Sequence, residues 1–471
     1  MRRSDWGRVL ALAQRHALGW LESLDTRPIY PRAGSAVLLA RLDRPVPEEP
    51  TPPTEVIEAL VRDVEAGLTA MPSGRFFGWV IGGGLPAALA ADWLTSAWDQ
   101  NTGSAEGTPA AAAVEQVAIR WVLELLDLPR SASAALVTGA QMANTVCLAA
   151  ARHRVLAAVG WDVEADGLLG APPVTVVVGE ERHSAIPRSA RFLGLGEARL
   201  RVVPADGQGR MRAEALGEAV ASVDGPLIVC AQVGNVNTGS IDPIPAIVDV
   251  LAGARERLPA GAVWLHLDGA FGLWARASAR LGELVASAER ADSWATDGHK
   301  WPNTPYDCGI ALVADREAHR RAMANRAEYL PEAVDDAIRA PLDWTPELSR
   351  RARGFALYAA LAELGRRGVA ELVERTCELA RRFAGGLAAI PGVEVLNEVV
   401  LNQVLVAFGD DGRTREVVRA VRDDGTCFVS GTVWRGRAAM RISLSNAFTD
   451  EDDVDRSVAA MRRAFEAGRA S

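Results

Sequence analysis

The stretch ADSWATDGHKWPNTPYDCGIALV, residues 291–313, contains the most informative side chain in the sequence. Lys300 is the only lysine in a chain of 471 residues, in which the other 50 basic residues are arginine. Arginine holds a charge or a phosphate as well as lysine does, but its guanidinium stays protonated and does not form a Schiff base. A single lysine flanked by His299 and Trp301 is therefore a candidate imine-forming residue, although chance retention of one lysine explains it equally well.

Short apolar runs on both sides of this lysine predict the strands of one sheet. Between residues 74 and 325 they alternate with helical stretches, which is the pattern of a mostly parallel sheet covered on both faces. The sequence therefore predicts an α/β fold whose large domain covers residues 76–325. The runs expected to form strands are 174–178, 227–231, 263–267, 293–295 and 309–313, and those expected to form helices are 110–126 and 144–159.

The pattern changes after residue 343. Two long helical stretches are followed by four strand-like runs, and acidic residues after Thr449 predict a closing helix over 450–467. We interpret residues 326–471 as a smaller C-terminal α+β domain. The helical stretches are 345–366 and 370–389, and the strand-like runs are 393–396, 402–408, 427–432 and 440–445.

Residues 1–75 form a separate N-terminal arm in this interpretation. Prolines at positions 45, 47, 50, 52 and 53 favour an extended connector between an N-terminal amphipathic helix and a second helix over 54–70. Such an arm suits packing against a second subunit. A surface arm on a monomer fits the same pattern.

The composition is typical of a folded soluble protein. Hydrophobic residues make up 49% of the chain and charged residues 24%, which excludes disorder of the whole chain. The net charge of −9 disfavours nucleic acid or an anionic membrane as a general partner. The N-terminus lacks the apolar core of a signal peptide, and the longest uncharged run, 131–151, is too polar to span a membrane. Five cysteines without a CxxC pair predict reduced, buried thiols, no metal site and a cytoplasmic protein.

A carboxylate stands at the end of one expected strand. The run VWLHLDGAFG, residues 263–272, places Asp268 where α/β folds position ligand-contacting residues. A buried carboxylate there requires a cationic partner. A protonated pyridine nitrogen is one such partner and would couple Asp268 to a lysine-bound pyridoxal phosphate. Capping of the following helix is the alternative role.

Two further strand ends carry candidate ligands. In ALVTGAQMA, residues 135–143, a strand is followed by a glycine and a helix start, so that free backbone N–H groups and the positive end of a helix dipole suit a phosphate. In GEERHSA, residues 179–185, His183 follows another expected strand. A structural role is the more common one for such a histidine, but its ring is also able to stack on an aromatic cofactor.

The motifs HLDGAF and DGHKWPNTPYDCGIALV, with 32 residues from Asp268 to Lys300, resemble the group II pyridoxal-phosphate-dependent decarboxylases. These include the aromatic-amino-acid, glutamate and histidine decarboxylases. The likeness runs from about Phe76 to the C-terminus through GWVIGGGLPAALAADWLTSAWDQN, TPAAAAVEQ and AMRISLSNAFTDEDDVDRSV. It implies the type I aminotransferase fold with a mostly parallel seven-stranded sheet, pyridoxal 5'-phosphate as cofactor, and an active site at a homodimer interface.

The resemblance also implies roles for single residues. Lys300 would form the Schiff base with the cofactor. Asp268 would pair with the pyridine nitrogen, and His183 would stack on the ring and help to handle protons. The phosphate would be held by residues at the start of a helix and beside the lysine, namely Ala140, Gln141 and His299.

Three more residues occupy family positions. Asn235, in AQVGNVNTGSIDP, falls near the position that contacts the 3-oxygen of the ring, where the family often has threonine. Thr108 replaces the serine of the family's Ser-Pro-Ala helix start and is assigned to cofactor binding. Arg441 lies where some members hold the substrate carboxylate, and a surface or interdomain salt bridge is its alternative role.

The implied reaction is decarboxylation of an L-amino acid, in which the bond from Cα to the carboxylate breaks and Cα is then reprotonated. Aromatic-amino-acid decarboxylases carry the proton donor as a tyrosine, followed by leucine, on a mobile loop. Tyr329 with Leu330 stands 28 residues after Trp301 and is the candidate donor, with a surface tyrosine as the alternative. The loop is a few residues shorter than in the family.

Other outcomes on the same scaffold remain open. Interception of the carbanion by oxygen would make the protein a decarboxylating aldehyde synthase, and cleavage of Cα–Cβ would make it a C–C lyase. A non-catalytic scaffold is disfavoured by the intact Lys300, Asp268 and His183. Glycines at 82–84, in a stretch that borders the substrate pocket in the family, either leave room for a bulky side chain or serve as turn residues. The sequence has no clear second carboxylate clamp and therefore favours an aromatic or bulky substrate.

Overall fold

A seven-stranded sheet forms the centre of the larger part of the molecule in the computed structural model, which describes residues 5–324 and 339–467. Its strands are β1 Ser133–Val137, β2 Thr175–Gly179, β3 Arg201–Val203, β4 Leu227–Gln232, β5 Val263–Asp268, β6 Ser293–Asp297 and β7 Gly309–Val313. Their order across the sheet is β1-β7-β6-β5-β4-β2-β3. Neighbouring strands are parallel except at β7, which is antiparallel to β1 and β6. The predicted α/β fold with a mostly parallel sheet is confirmed.

The central strands are buried along their whole length, β5 at all six of its residues. Helices cover both faces of the sheet, which is why these strands read in the sequence as continuous apolar runs. Strand β3 lies at the sheet edge and exposes two of its three residues. It is too short and too exposed to be recognised from periodicity.

Fourteen α-helices occur within the described residues, and none of them is long and apolar enough to span a bilayer. Three of them, α3, α4 and α5 below, have proline as their first residue, where the missing N–H costs nothing. The helices are α1 Trp6–Glu22, α2 Ser35–Leu42, α3 Pro53–Val64, α4 Pro86–Trp98, α5 Pro109–Leu125, α6 Ala140–Ala157, α7 Val163–Asp166, α8 Ala185–Phe192, α9 Ala213–Ala221, α10 Ile244–Arg257, α11 Arg316–Met323, α12 Gly354–Ala388, α13 Asp411–Asp424 and α14 Glu451–Ala467.

Helix α12 corrects the predicted bounds of two helices. The first was expected to begin at residue 345 but begins at Gly354. Thr345 precedes Pro346 and has an extended backbone, with φ −127° and ψ 151°, because proline disfavours the helical region for the residue before it. The interruption expected between 366 and 370 lies at Gly365, whose φ of 61° suits glycine.

A second sheet of four strands follows in the C-terminal part. Its strands are β8 Val393–Val395, β9 Gln403–Phe408, β10 Ser430–Trp434 and β11 Arg437–Ser443. They pair in the order β10-β11-β9-β8 and are antiparallel throughout. A smaller C-terminal domain of helices and strands is therefore confirmed, while the predicted limits at 75/76 and 325/326 stay predictions.

The N-terminal arm contains α1, α2 and α3, one helix more than the sequence predicted. Much of its apolar surface faces solvent. Trp6 is 67% exposed and Leu39 66%, and Leu60, on the predicted apolar face of the second helix, is 50% exposed. Exposed apolar surface of this extent is typical of a face that another surface covers.

Several strands end at one edge of the large sheet. Val137 on β1 and Asp297 on β6 both pair with Gly309 on β7, and Asp268 on β5 pairs with Ala295 on β6. The carboxyl ends of β1, β5 and β6 therefore meet, together with the start of α6. This edge is where open α/β sheets place their ligands.

Candidate active site

A cavity of about 240 Å³ lies at this edge of the large sheet. Six of the residues that line it were assigned to the cofactor or to catalysis from the sequence, and the fold brings them together from four separate segments. These six are Ala140, Gln141, His183, Asp268, His299 and Lys300. Other lining residues include Val80, Asn144, Val236, Phe271 and Asp297.

Asp268 ends β5 inside the protein, with 5% of its surface exposed. Its Oδ1 has no hydrogen-bond partner among the described residues. Burial raises the pKa of this carboxyl above its ordinary value, and the charges of His183 and Lys300 oppose that rise. A buried carboxylate without a partner is costly. Asp268 Oδ1 therefore lacks one partner, either a cation or a hydrogen-bond donor, within the cavity.

A chain of hydrogen bonds beneath Asp268 fixes Asn144. The indole N–H of Trp264 donates to Ser293 Oγ at 2.8 Å, and this oxygen lies 2.9 Å from His266 Nδ1. His266 Nε2 lies 2.7 Å from Asn144 Oδ1, which only accepts, so the imidazole carries its proton on Nε2. Burial lowers the pKa of His266 to about 3, and the ring is neutral. The amide nitrogen of Asn144 is left to face Asp268, whose pKa this amide lowers.

Asp297, at the end of β6, is the second buried carboxylate of the cavity. Its Oδ2 lies 3.0 Å from Lys300 Nζ, and its side chain is 2% exposed. Its Oδ1 accepts the N–H of Ala140 at 2.6 Å. The sequence analysis missed Asp297, although it stands two residues after an expected strand and three residues before the lysine.

His299 lies between Asp297 and Tyr306. Its Nδ1 accepts the N–H of Cys308 at 3.2 Å, so its proton is on Nε2, which lies 3.6 Å from Asp297 Oδ1. The ring of Tyr306 stacks on the imidazole with 4.2 Å between centroids. Burial lowers the pKa of His299, which makes it a neutral hydrogen-bond donor at pH 7.

The start of α6 is less free than the sequence predicted. Of the two backbone N–H groups assigned to a phosphate, that of Ala140 is engaged by Asp297. The side chain of Gln141 donates from Nε2 to Ser189 Oγ at 2.9 Å, and the group assigned to the phosphate is its backbone N–H. A Cβ on Gly309 would lie 2.4 Å from the backbone of Gly139, so the two backbones pack directly against each other before α6. The phosphate contacts of Ala140 and Gln141 stay predictions.

His183 lies between β2 and α8 at the cavity. Its Nδ1 accepts the N–H of Ala185 at 3.1 Å, which leaves the proton on Nε2. Burial lowers the pKa of the imidazole, the charge of Asp268 raises it, and the charge of Lys300 lowers it again. The ring therefore lies close enough to Asp268 and Lys300 for their charges to act on it. The stacking of His183 on the cofactor stays a prediction.

Arg441 extends from β11 towards His183, whose pKa its charge lowers. Its guanidinium donates to Asn237 Oδ1 at 3.4 Å, and its Nε has no partner among the described residues. Burial lowers the pKa of the guanidinium. The alternative role, a salt bridge, is not found in the part of the chain that the structure describes.

Two residues that the sequence assigned to the cofactor do not line the cavity, and their side chains form hydrogen bonds elsewhere. Asn235 Oδ1 accepts the N–H of Asn237 at 2.8 Å, and its Nδ2 donates to the carbonyl of Glu181 at 3.0 Å. Thr108 Oγ1 donates to the carbonyl of Asn101 at 2.8 Å. Their assignments to the cofactor stay predictions, and these contacts give both side chains a local structural role.

The glycines at 82–84 pack against the loop of the lysine. A Cβ on Gly82 would lie 1.8 Å from the carbonyl oxygen of Lys300, and the N–H of Gly82 donates to the carbonyl of His299 at 3.2 Å. Gly83 has a φ of 83°. At Gly82 the reason for glycine is therefore the close approach of two backbones. Gly82 therefore does not provide the expected room for a bulky side chain.

Tyr329 lies outside the described residues. The residues on either side of that gap have fixed positions. His319 Nδ1 lies 2.9 Å from Ser133 Oγ, and its Nε2 donates to the carbonyl of Trp344 at 3.0 Å. Arg339 pairs with the buried Glu115 at 3.1 Å. The chain therefore leaves and re-enters the described structure beside β1.

Residues 36–409 match the family model of the pyridoxal-dependent decarboxylase conserved domain. Phenylacetaldehyde synthase of Arabidopsis thaliana is 24% identical over 457 residues, which cover 92% of this chain and 90% of that protein. L-2,4-diaminobutyrate decarboxylase of Rhizobium meliloti is 30% identical over 388 residues, which cover 78% of this chain and 73% of that protein. The crystal structure of Oryza sativa TDC with PLP and tryptamine has the same fold, with a TM-score of 0.91 at 23% identity over 99% of both chains.

Proposed function

The chain belongs to the pyridoxal-dependent decarboxylase family, and from this membership we propose that it releases carbon dioxide from an L-amino acid with an aromatic or bulky side chain. Pyridoxal 5'-phosphate is the cofactor, and when bound it supplies the electron sink for the charge left at Cα. In this proposal Lys300 would form the Schiff base with the cofactor, and Asp268 would hold its ring nitrogen.

One observation carries the assignment of the site. The unpartnered Oδ1 of the buried Asp268 shares a cavity with the only lysine of the chain. A protonated pyridine nitrogen supplies the partner that this oxygen lacks. The positive end of the α6 dipole opens into the same cavity and suits a phosphate. The residues present therefore fit the cofactor.

Three side chains at or near the cavity supply the nucleophile, a proton donor and a carboxylate contact in this proposal. Lys300 has to leave Asp297 Oδ2 and lose a proton before its amine is a nucleophile. His183 offers the proton on Nε2 at the cavity wall. Arg441, with an unpartnered Nε, offers its planar fork of N–H groups to the carboxylate of the substrate.

The substrate side chain would meet an apolar wall. Val80, Val236 and Phe271 line the cavity, and its lining contains no arginine among the described residues. Such a wall favours an aromatic or bulky side chain over a second carboxylate. Relatives do not decide the point, because one with 30% identity is named for a diamino acid.

We propose Tyr329 as the donor that returns a proton to Cα, on the strength of its spacing from Trp301. A second candidate function is favoured by the likeness to a phenylacetaldehyde synthase over 92% of the chain. Slow protonation of Cα would let oxygen oxidise the decarboxylated substrate, and the products would be an aldehyde, ammonia and hydrogen peroxide.

We propose further that the chain is a homodimer of the cytoplasm. The exposed apolar side chains of the N-terminal arm, such as Trp6 and Leu39, support a covering subunit. All five cysteines are buried and unpaired, as the sequence predicted, which suits a reducing compartment. Light scattering on a sizing column tests the dimer, since a mass near the 50.1 kDa of one chain would contradict it.

Product analysis tests the proposed function. Purified enzyme loaded with pyridoxal phosphate is offered aromatic, aliphatic and acidic L-amino acids under air, and the products are identified by mass. Carbon dioxide with the corresponding amine is the expected result, with aromatic substrates preferred. An aldehyde with ammonia and hydrogen peroxide would identify the second candidate function. The amino acid recovered unchanged from the whole panel would contradict both.

A further inference from the structure

We propose that Asn303 is a positioning residue, whose side-chain amide holds the main chain of Lys300 where the lysine amine can reach the cofactor. The inference rests on the proposed role of Lys300. Asn303 stands three residues after the lysine and is fully buried. Its backbone has a φ of 55°, in the left-handed region that asparagine tolerates better than most residues.

The amide of Asn303 closes the turn that follows the lysine. Its Nδ2 donates to the carbonyl of Lys300 at 2.9 Å and to the carbonyl of Trp301 at 2.7 Å. The backbone N–H of Asn303 also donates to the carbonyl of Lys300, at 3.1 Å. The lysine carbonyl thus accepts two hydrogen bonds from one residue, and they fix the orientation of the peptide group after Lys300.

The same amide reaches the C-terminal domain. Nδ2 donates to the carbonyl of Ser445 at 2.8 Å, and Oδ1 accepts the N–H of Ala447 at 2.8 Å. Three carbonyls on one side and an N–H on the other determine which way round the amide lies. Ser445 and Ala447 follow β11, the strand that carries Arg441. Asn303 therefore links the lysine to the strand of the proposed carboxylate contact.

A third segment packs against this turn. The N–H of Leu85 donates to the carbonyl of Asn303 at 2.9 Å. A Cβ on Gly82 would lie 1.8 Å from the carbonyl oxygen of Lys300 and 2.8 Å from Asn303 Nδ2. The amide thus lies where three segments of the chain meet, and its removal would loosen the main chain of Lys300 on two sides.

The position of this main chain limits where the lysine amine can reach. In the proposed step the ammonium of Lys300 first loses one proton to solvent. The nitrogen then adds to the aldehyde carbon of the cofactor, and the aldehyde oxygen leaves as water with the two hydrogens of the amine. The reacting atoms have to lie about 3 Å apart, and a misplacement of about 1 Å costs up to roughly 10²-fold in rate. The flexible side chain of lysine recovers part of such a loss.

Two ligands separate the position of the lysine from the shape of the cavity. Pyridoxal 5'-phosphate forms the Schiff base, whereas pyridoxine 5'-phosphate, which has an alcohol in place of the aldehyde, only binds. Asn303→Gly removes the amide and retains the left-handed backbone. In the cofactor-free variant, with saturating pyridoxal 5'-phosphate, the absorbance band of the Schiff base should form about tenfold more slowly than in wild type.

The affinity for pyridoxine 5'-phosphate should remain within about twofold of wild type in calorimetry, because the contacts of the ring and the phosphate are retained. Reduction with borohydride, followed by peptide mass analysis, checks that the absorbance band comes from Lys300, the only lysine of the chain. Neither readout depends on turnover.

Asn397 offers a matched control. It is 8% exposed, its Nδ2 donates to three carbonyls and its Oδ1 accepts one N–H, as in Asn303. Its bonds also join the C-terminal domain to the large domain, but none of them involves the turn after the lysine. Asn397→Gly should lose at least as much stability as Asn303→Gly in denaturant unfolding, yet form the Schiff base at the wild-type rate. The partners of Asn397 are Thr238, Glu398, Gln403 and Leu405.

Formation of the Schiff base at the wild-type rate in Asn303→Gly would overturn the inference. An affinity for pyridoxine 5'-phosphate that falls in the same proportion as the rate would overturn it too, as would equal slowing in Asn397→Gly, since the amide then has only a structural role. Failure of wild type to form the Schiff base at Lys300 would instead overturn the proposed function. If Asn303→Gly does not fold, Asn303→Asp, which keeps the acceptor for Ala447 but has no N–H for the carbonyls, is held to the same criteria.

Discussion

Two aspartates end neighbouring strands of the large sheet, and both are buried but differently partnered. Asp297 on β6 has an ion pair with Lys300 and accepts the N–H of Ala140. Asp268 on β5 has an oxygen without any hydrogen-bond partner among the described residues. Both oxygens of Asp297 have a partner without any ligand, whereas Oδ1 of Asp268 has none. A buried carboxylate therefore indicates a binding site when its partner is missing, and burial alone does not.

The largest effect is expected from Lys300, which acts on both carboxylates. Lys300→Ala should lower turnover by at least about 10³-fold, because a covalent-catalysis residue is lost. The absorbance band of the lysine-bound cofactor should disappear as well. Lys300→Arg is the matched control, since it keeps the positive charge but not the nucleophile and should be equally inactive. Full turnover in either variant would refute the Schiff-base assignment.

Asp268→Asn should have opposite effects on function and on stability. Turnover should fall by roughly 10²-fold, because the charge that holds the ring nitrogen is removed. The cofactor-free protein should gain about 1 to 3 kcal/mol of unfolding free energy, because an unpaired buried carboxylate is removed.

The pH dependence of that gain has a definite sign. Burial raises the pKa of Asp268 in the folded state. The loss of folding stability from its charge is therefore absent below the unfolded pKa of about 4 and complete only above the folded pKa. Denaturant unfolding of the cofactor-free proteins at several pH values measures the difference. The gain should grow as the pH rises from about 4, and a gain that shrinks would contradict the unpaired state of Asp268.

Asp297→Asn should change stability in the other direction. The side chains of Asp297 and Lys300 are 2% and 18% exposed, so the lysine loses a partner where water replaces it poorly. We expect the cofactor-free protein to lose about 1 kcal/mol of unfolding free energy, measured in the same denaturant series. If Asp268→Asn and Asp297→Asn shift stability with the same sign, the contrast between the two carboxylates is lost.

The smallest effect is expected beneath Asp268. Asn144→Ala removes the amide that lowers the pKa of this carboxyl, so Asp268 should take up a proton at a higher pH than in wild type. The acid side of the pH profile of kcat/KM should move upwards, with a loss of roughly tenfold at its steepest point. A uniform loss at every pH would show that Asn144 has only a structural role.

The sequence predicted the elements that are strongly apolar and the residues that are chemically unusual. The buried strands β4, β5 and β7 read as apolar runs, and Lys300 stood out because the chain has no second lysine. Asp268 was predicted as a site residue because it stands at the end of an apolar run. The residues offered pyridoxal phosphate and the stacking of His183 only as one option each, and the family resemblance selected them.

What the sequence did not predict depends on contacts between distant segments. His266 and Asn144 meet across 122 residues, and Asp297 meets Ala140 across 157 residues, so no local pattern marks either pair. Gly82 is small because the backbone of Lys300 lies against it. The start of α12 was misplaced because the residues before it have a helical composition, although Pro346 disfavours a helix at Thr345.

Asp268 is proposed to bind the pyridine nitrogen of a cofactor held beside Lys300. The most direct test compares the affinity of cofactor-free wild type and Asp268→Asn for pyridoxal phosphate and for its analogue in which the ring nitrogen is replaced by C–H. Wild type should bind pyridoxal phosphate at least about tenfold more tightly than the analogue, and Asp268→Asn should bind the two alike. Equal binding of both ligands by wild type, or an unchanged preference in the variant, would contradict the claim.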